Sequence, residues 1–188
     1  MTMLNPQIRV TEVLDYFKEP WYVDWVVRVG KKEAGRIGRE AMKIGARVDE
    51  LIKTKGAPKA KDSDEVRSCF TAWGKFLEVY KPVSLINGER FYATIGNIKY
   101  TGEPDLIIDG VLTDLKCAVK ISPKYWVQVA MYCHALKIDR MAVLRLDKVT
   151  GSYEYVVKDF DGGLVDVWFG LAKAYLYLRE DDDDGNSD

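Results

Sequence analysis
Apolar residues recur at helical spacing through the first eighty positions of the chain and at strand spacing for a stretch after that. Thr11 is placed to cap a short helix, Glu12 to Lys18, which Pro20 stops. Trp21 to Val29 predicts a second apolar helix. Lys31 to Lys53 predicts a longer one, with an apolar stripe of Ile37, Ala41, Ile44, Val48 and Leu51/Ile52. Residues 54–61 form a basic loop. Asp62-Ser63-Asp64-Glu65 fits a capping box that opens a fourth helix, with Val66, Cys69/Phe70, Trp73, Phe76/Leu77 and Tyr80 on its core side. From Val83 to Lys116 the pattern changes to strands near 83–86, 89–95, 97–101, 104–108 and 111–117. Asn87-Gly88 and Gly96-Asn97 supply turns between them. Ser122-Pro123 starts a helix that runs to about Leu136. Met141 to Leu146 and Ser152 to Val157 read as strands, and Gly162-Gly163 precedes an amphipathic helix through Leu178.

This order of helices, antiparallel meander, helix and strands predicts an α/β fold, a single domain with a central mixed sheet flanked by helices. The domain spans 1–179: a mainly helical lead-in at 1–80, a sheet core at 83–157 and a C-terminal helix at 163–178. An acidic tail, 180–188, is expected to be disordered. No internal repeat is visible.

Composition narrows the possibilities. The 188 residues, 47% hydrophobic and 30% charged, suit one soluble domain with a substantial core. No apolar run reaches the length of a membrane span and no secretory signal is visible, so a cytoplasmic location is expected. The net charge of −1 hides an asymmetry. Six of the 29 acids lie in 180–188, so the body carries 28 basic and 23 acidic residues, a balance of +5. Such a surface can meet a polyanion. Cys69, Cys117 and Cys133 form no Cys-x-x-Cys pair, so no iron–sulfur cluster or cysteine-bound zinc is expected, and reduced thiols fit best. No phosphate-binding Gly-x-x-x-x-Gly-Lys-Ser/Thr loop occurs, so no nucleotide is expected.

Chemistry concentrates in one hairpin. Asp109-Gly110 is a two-residue turn signal between Leu106-Ile107-Ile108 and Val111-Leu112-Thr113. With a type I′ turn, Ile108 faces Val111 and, counting outward, Asp105 faces Asp114. Directly opposed residues hold their Cβ atoms roughly 4.5–5.5 Å apart. Two carboxylates at that distance repel unless a cation joins them, and hard oxygen ligands suit Mg²⁺ or Mn²⁺. Lys116, two residues beyond Asp114, projects from the same face. Gln128 and Tyr132, four apart on the next helix, also share a face.

With these motifs in view, the chain resembles the PD-(D/E)XK nuclease superfamily, and in particular its RecB-type, lambda-exonuclease-like branch. Gly102-Glu103-Pro104-Asp105 matches the family's Gly-x-x-Asp, Asp114-Leu115-Lys116 its (Asp/Glu)-x-Lys, and Gln128-Val129-Ala130-Met131-Tyr132 its Gln-x-x-x-Tyr. Thr11-Glu12-Val13-Leu14 with Trp21 looks like its N-terminal lead-in. The resemblance covers most of the chain. It implies a restriction-endonuclease-like core and metal-dependent hydrolysis of DNA phosphodiesters, with Asp105, Asp114, Lys116, Gln128 and Tyr132 catalytic. It also implies a backbone carbonyl ligand at Leu115 and an upstream ligand on a helix. Asp49 stands where RecB-type relatives carry histidine. Its stripe, with Gly38, Met42, Gly45 and Ile52, borders the apolar face, whereas Glu50 turns further toward solvent.

Glu50 and Glu89 remain weaker ligand candidates. Lys120 and Lys124 flank the Gln128 helix and are candidates for binding DNA phosphates. Trp126 is the tryptophan chosen for stacking on a base. The expected substrate is single- or double-stranded DNA, with an exonuclease of recombination, repair or phage DNA processing favoured. A structure-specific endonuclease and a non-catalytic nucleic-acid-binding protein on the same fold stay open, as do a homo-oligomer and a recombination partner protein.

Overall fold
The computed structural model describes residues 7–184, with side chains described as far as Arg179. Strand β1 (Ile8–Arg9) leads into helices α1 (Val10–Tyr16), α2 (Pro20–Val29), α3 (Lys31–Lys53) and α4 (Asp64–Tyr80). Strands β2 (Leu85–Asn87), β3 (Phe91–Ile95), β4 (Ile98–Gly102), β5 (Leu106–Ile108) and β6 (Val111–Lys116) follow. Helix α5 (Pro123–Leu136), strands β7 (Arg140–Leu146) and β8 (Tyr153–Asp159), and helix α6 (Gly162–Asp184) complete the order.

The predicted meander divides into two sheets. One is three-stranded, in the order β1-β4-β3, and the other five-stranded, in the order β2-β5-β6-β7-β8. The larger sheet is mixed, because β6 pairs parallel with β7 across the α5 crossover. The break falls between β4 and β5, where Pro104 has no backbone N–H to give to a ladder. The two-residue strand β1, too short to leave a pattern, adds parallel to β4.

The five-stranded sheet separates two cores. On one side Leu112, Met141 and Val143 pack with α1, α5 and α6, around Val13, Met131 and Trp168. On the other, Leu106, Ile108, Leu144 and Leu146 pack with Val48, Leu51 and Ile52 of α3 and with Cys69, Trp73 and Phe76 of α4. Residues of β6 therefore alternate between the two sides, as the pleat requires. Leu112, Asp114 and Lys116 share the α5 side.

Several expected details change. Arg9, not Thr11, is the N-cap of α1, and its amide donates to Glu12 at 3.3 Å. Ser63 caps α4 by accepting from Val66 N–H, but the third helical residue is Val66, so the acid of a full capping box is missing. Ile37 is 36% exposed, because only the C-terminal half of α3 lies on the sheet. Tyr80 is also exposed, although its ring stacks on Phe76. Helix α6 continues past the predicted end at 178 to Asp184, so most of the tail expected to be disordered is helical. Once a helix is formed, each added residue gains a hydrogen bond for little further entropy. Residues 185–188 and 1–6 lie outside the described residues.

Two glycines allow the sheets to meet at the break. A Cβ on Gly88 would lie 2.2 Å from the Pro104 carbonyl oxygen, and one on Gly102 would lie 2.4 Å from Tyr132 Cε1. Both contacts are well inside van der Waals range, and one partner is backbone. Gly102→Ala is therefore expected to destabilise the protein by about 1–3 kcal/mol. Urea denaturation monitored by tryptophan fluorescence measures it, and an unchanged midpoint would show that Tyr132 has room to retreat.

Candidate active site
The β5–β6 hairpin closes through the turn that its sequence predicts. Asp109 and Gly110 both have positive φ, 50° and 79°, as a type I′ turn requires. Asp109 also accepts hydrogen bonds from the amides of Val83, at 3.0 Å, and Ser84, at 2.7 Å, which ties the turn to the start of β2. The ladder pairs Ile108 with Val111 and Leu106 with Thr113. Asp105 thus leaves β5 opposite Asp114.

Asp114 is 1% exposed and sits at the centre of the cluster. Lys116 Nζ lies 2.9 Å from its Oδ1 and 2.8 Å from its Oδ2, but only the Oδ1 contact has hydrogen-bond geometry. Gln128 Nε2 donates to the same Oδ1 at 3.0 Å and to the Tyr132 hydroxyl at 3.1 Å. Asp105 accepts from the Leu115 amide at 2.7 Å. Asp49 approaches from α3 and pairs with Lys53 at 3.0 Å. Asp49, Asp105, Leu115, Lys116, Tyr125 and Gln128 are among the residues lining an open cleft of about 480 Å³.

The electrostatics follow from this crowding. Burial, reinforced by the neighbouring Asp114 charge, pushes the Asp105 carboxyl up to about 7. Burial also raises Asp114, against the opposing pull of the Lys116 ammonium. For Lys116, burial alone would favour the neutral amine, but Asp114 and Asp105 outweigh it and hold the ammonium charged. Burial raises Tyr132, which stays a neutral phenol.

Two carboxylate oxygens in the cluster, Asp49 Oδ1 and Asp114 Oδ2, are buried without a hydrogen-bond partner. Buried oxygens in that state are costly and call for a counter-group. Hard anionic oxygens left without a partner fit a divalent cation of the Mg²⁺ type. The fit is incomplete as the side chains stand: among the described residues no group of three or more His, Cys, Asp or Glu is arranged to hold a metal.

The structure sorts the remaining predicted residues. Glu50 is exposed and pairs with Arg47 at 2.9 Å, outside the cleft. Glu89 is exposed in the loop before β3 and does not line the cleft. Tyr132 is 3% exposed and lies behind Gln128, so it reaches the cleft only through that side chain. Trp126 is buried at 9% exposure, its ring covered by Lys158 Nζ 4.1 Å from the centroid, so it is not an exposed stacking residue. Helix α5 is apolar on nearly every side, and its period conceals which face is outward. Lys124 lines the cleft and pairs with Asp15 at 3.1 Å. Lys120 is exposed in a neighbouring cavity.

Two contributors escaped the motif reading. Lys53 balances Asp49 and was visible only as an i,i+4 pair on α3. Tyr125 places its ring 5.1 Å from Lys116 Nζ, and no sequence signal marks it.

No family model matches the chain, and neither does any curated protein. Solved structures do match in fold. An alkaline exonuclease from Laribacter hongkongensis aligns over 94% of this chain and 89% of its own, at 12% identity and a TM-score of 0.52. A putative exonuclease from Eubacterium rectale aligns over 79% of this chain and 69% of its own, at 14% identity and a TM-score of 0.54. The chain therefore has the exonuclease-like α/β fold that the motif resemblance implied. At such identities the likeness is one of fold alone.

The raised Asp105 has a consequence for stability. Its folded pKa lies above the unfolded value, so the folded protein keeps a proton that the unfolded chain has released. In EDTA, stability is expected to fall as pH rises from about 4 to about 7, and Asp105→Asn is expected to flatten that decline. Melting curves across this range check it, and equal slopes in the two proteins would show that Asp105 titrates normally.

Proposed function
We propose that this chain is a metal-dependent deoxyribonuclease that degrades DNA from its ends. The observation that supports this best is the buried Asp114, held between Lys116 and Gln128 and opposed by Asp105, beside a cleft that Asp49, Asp105, Lys116 and Gln128 line. The exonuclease-like fold supports action at ends over cutting within a strand. Among the described residues no helix is long and apolar enough to cross a membrane.

Asp49, Asp105, Asp114 and the Leu115 carbonyl would hold one or two Mg²⁺ or Mn²⁺ ions. Such an ion supplies an acidified water and neutralises phosphate charge when bound. Lys116 presents a charged ammonium at the cleft wall, where it stabilises negative charge growing on the attacked phosphate. Asp114 keeps that ammonium in place and keeps it protonated. Gln128 has its amide nitrogen fixed by Asp114 and Tyr132, so it turns the phosphate or the attacking water toward the line of attack. Tyr132 is a positioning residue that acts through Gln128.

The test compares 5′- and 3′-labelled linear DNA, single- and double-stranded, with closed circles, in Mg²⁺, Mn²⁺ and EDTA. Loss of linear DNA with circles spared, in metal only, is the expected result. Cut circles would make the protein an endonuclease, and survival of every substrate would favour a binding protein. Asp114→Asn and Lys116→Ala are each expected to lower cleavage by about 100-fold or more. Tyr132→Phe is expected to cost about tenfold, as removal of an orienting contact does. Thermal melts check that each variant is folded. A Mn²⁺-induced rise in Tm in the parent protein, lost in Asp114→Asn, would report metal binding independently of cleavage.

A further inference from the structure
Lys53 reaches the acid cluster from the last turn of α3. Its Nζ lies 3.0 Å from Asp49 Oδ2, in the order, acid four residues before base, that is favourable on a helix. On an open surface such a pair is worth little. Here both side chains are partly buried, Lys53 to 22% exposure and Asp49 to 33%, and the other Asp49 oxygen, Oδ1, is buried without a hydrogen-bond partner. Lys53 also has a second acceptor within reach. Glu103 Oε1 lies 3.9 Å from the same Nζ, and Glu103 does not line the cleft. Glu103 is itself 44% exposed and pairs with Arg90 at 3.2 Å. The Lys53 backbone is held separately, its carbonyl accepting from Asn87 Nδ2 at 3.2 Å. The carbonyl end of a helix favours a cation whether or not Asp49 is paired with it.

From this arrangement we infer that Lys53 is an internal counter-ion of the metal site: its ammonium takes the place of a divalent cation on Asp49 and gives way to Glu103 when that cation binds. The inference rests on the metal site proposed above and adds how its affinity is set. Asp49 lies near enough to Asp105 and Asp114 for its charge to raise both carboxyls, so the cluster without a cation needs a positive charge on the α3 side. Ammonium and metal ion compete for one carboxylate, and each therefore weakens the other's hold. A lysine suits this part better than an arginine. Its ammonium is a point charge on a flexible stem, whereas a guanidinium grips both carboxylate oxygens at once.

Titration calorimetry of Mn²⁺ into the full chain, without DNA, reads the competition apart from cleavage. Lys53→Met and Lys53→Gln are each expected to bind Mn²⁺ about tenfold more tightly, because a positive charge beside the ion is gone. Lys53→Arg is expected to bind it no more tightly than the parent protein. Lys43→Met removes an equal charge from an exposed position of the same helix and is expected to leave Kd unchanged. Glu103→Gln is expected to weaken binding more in the parent than in Lys53→Met, since only the ammonium needs that second acceptor. Thermal melts in EDTA check that each variant is folded. An unchanged or weaker Kd in folded Lys53→Met and Lys53→Gln would overturn the counter-ion and leave the metal site standing. Equal tightening in Lys43→Met would overturn it as well, by tracing the effect to overall charge. A parent and variants that all bind no Mn²⁺ would overturn both the counter-ion and the metal site.

Discussion
A buried carboxylate sets the terms for the rest of this structure. Asp114 sits on a central strand, opposite Val143 in the parallel pairing of β6 and β7, where an aliphatic residue would be the ordinary choice. A charge there is tolerable only if it is paired and fully hydrogen-bonded. Lys116 and Gln128 satisfy one oxygen, and the other is left toward the acids of the cleft. Asp105 then arrives as a second carboxyl in the same low-dielectric space and answers by holding its proton. The cluster spends stability to keep negative oxygens poorly solvated, a sign of a site built for a ligand rather than for folding.

The parts of the site carried by local chain geometry were legible in the sequence. Asp109-Gly110 fixes the turn, the turn fixes the register, and the register places Asp105 across from Asp114 without reference to the rest of the fold. The i,i+4 spacing of Gln128 and Tyr132 likewise put both on one face. It did not say that Tyr132 would be sealed behind Gln128, because depth depends on what packs above, here Gly102 and Phe91. The choice of Asp49 over Glu50 came from the stripe on α3, and the structure places only Asp49 on the cleft.

The misreadings have a common cause in long-range packing. The mixed sheet flanked by helices was foreseen, but its division was not. A turn and a break look alike in a run of strand-forming residues, and the discriminating feature is the pair of close approaches at Gly88 and Gly102. Trp21 and Trp126 both sit near the starts of apolar helices. Only the docking of α5 into the core and the stranding of α2 on the surface tell them apart.

The parallel pairing of β6 with β7 has a further consequence, for the order of assembly. The hairpin that carries Asp105 and Asp114 can close on its own within the chain, since its contacts are local. Asp114 is enclosed only when β7 docks beside β6, after the α5 segment has brought Gln128 over it, and Asp49 comes from a helix much earlier in the chain. Contacts of that sequence separation form late in folding. A chain still emerging from the ribosome therefore keeps Asp49 and Gln128 away from the two carboxylates of the hairpin, and the cluster is complete only when the last layer of the core is in place.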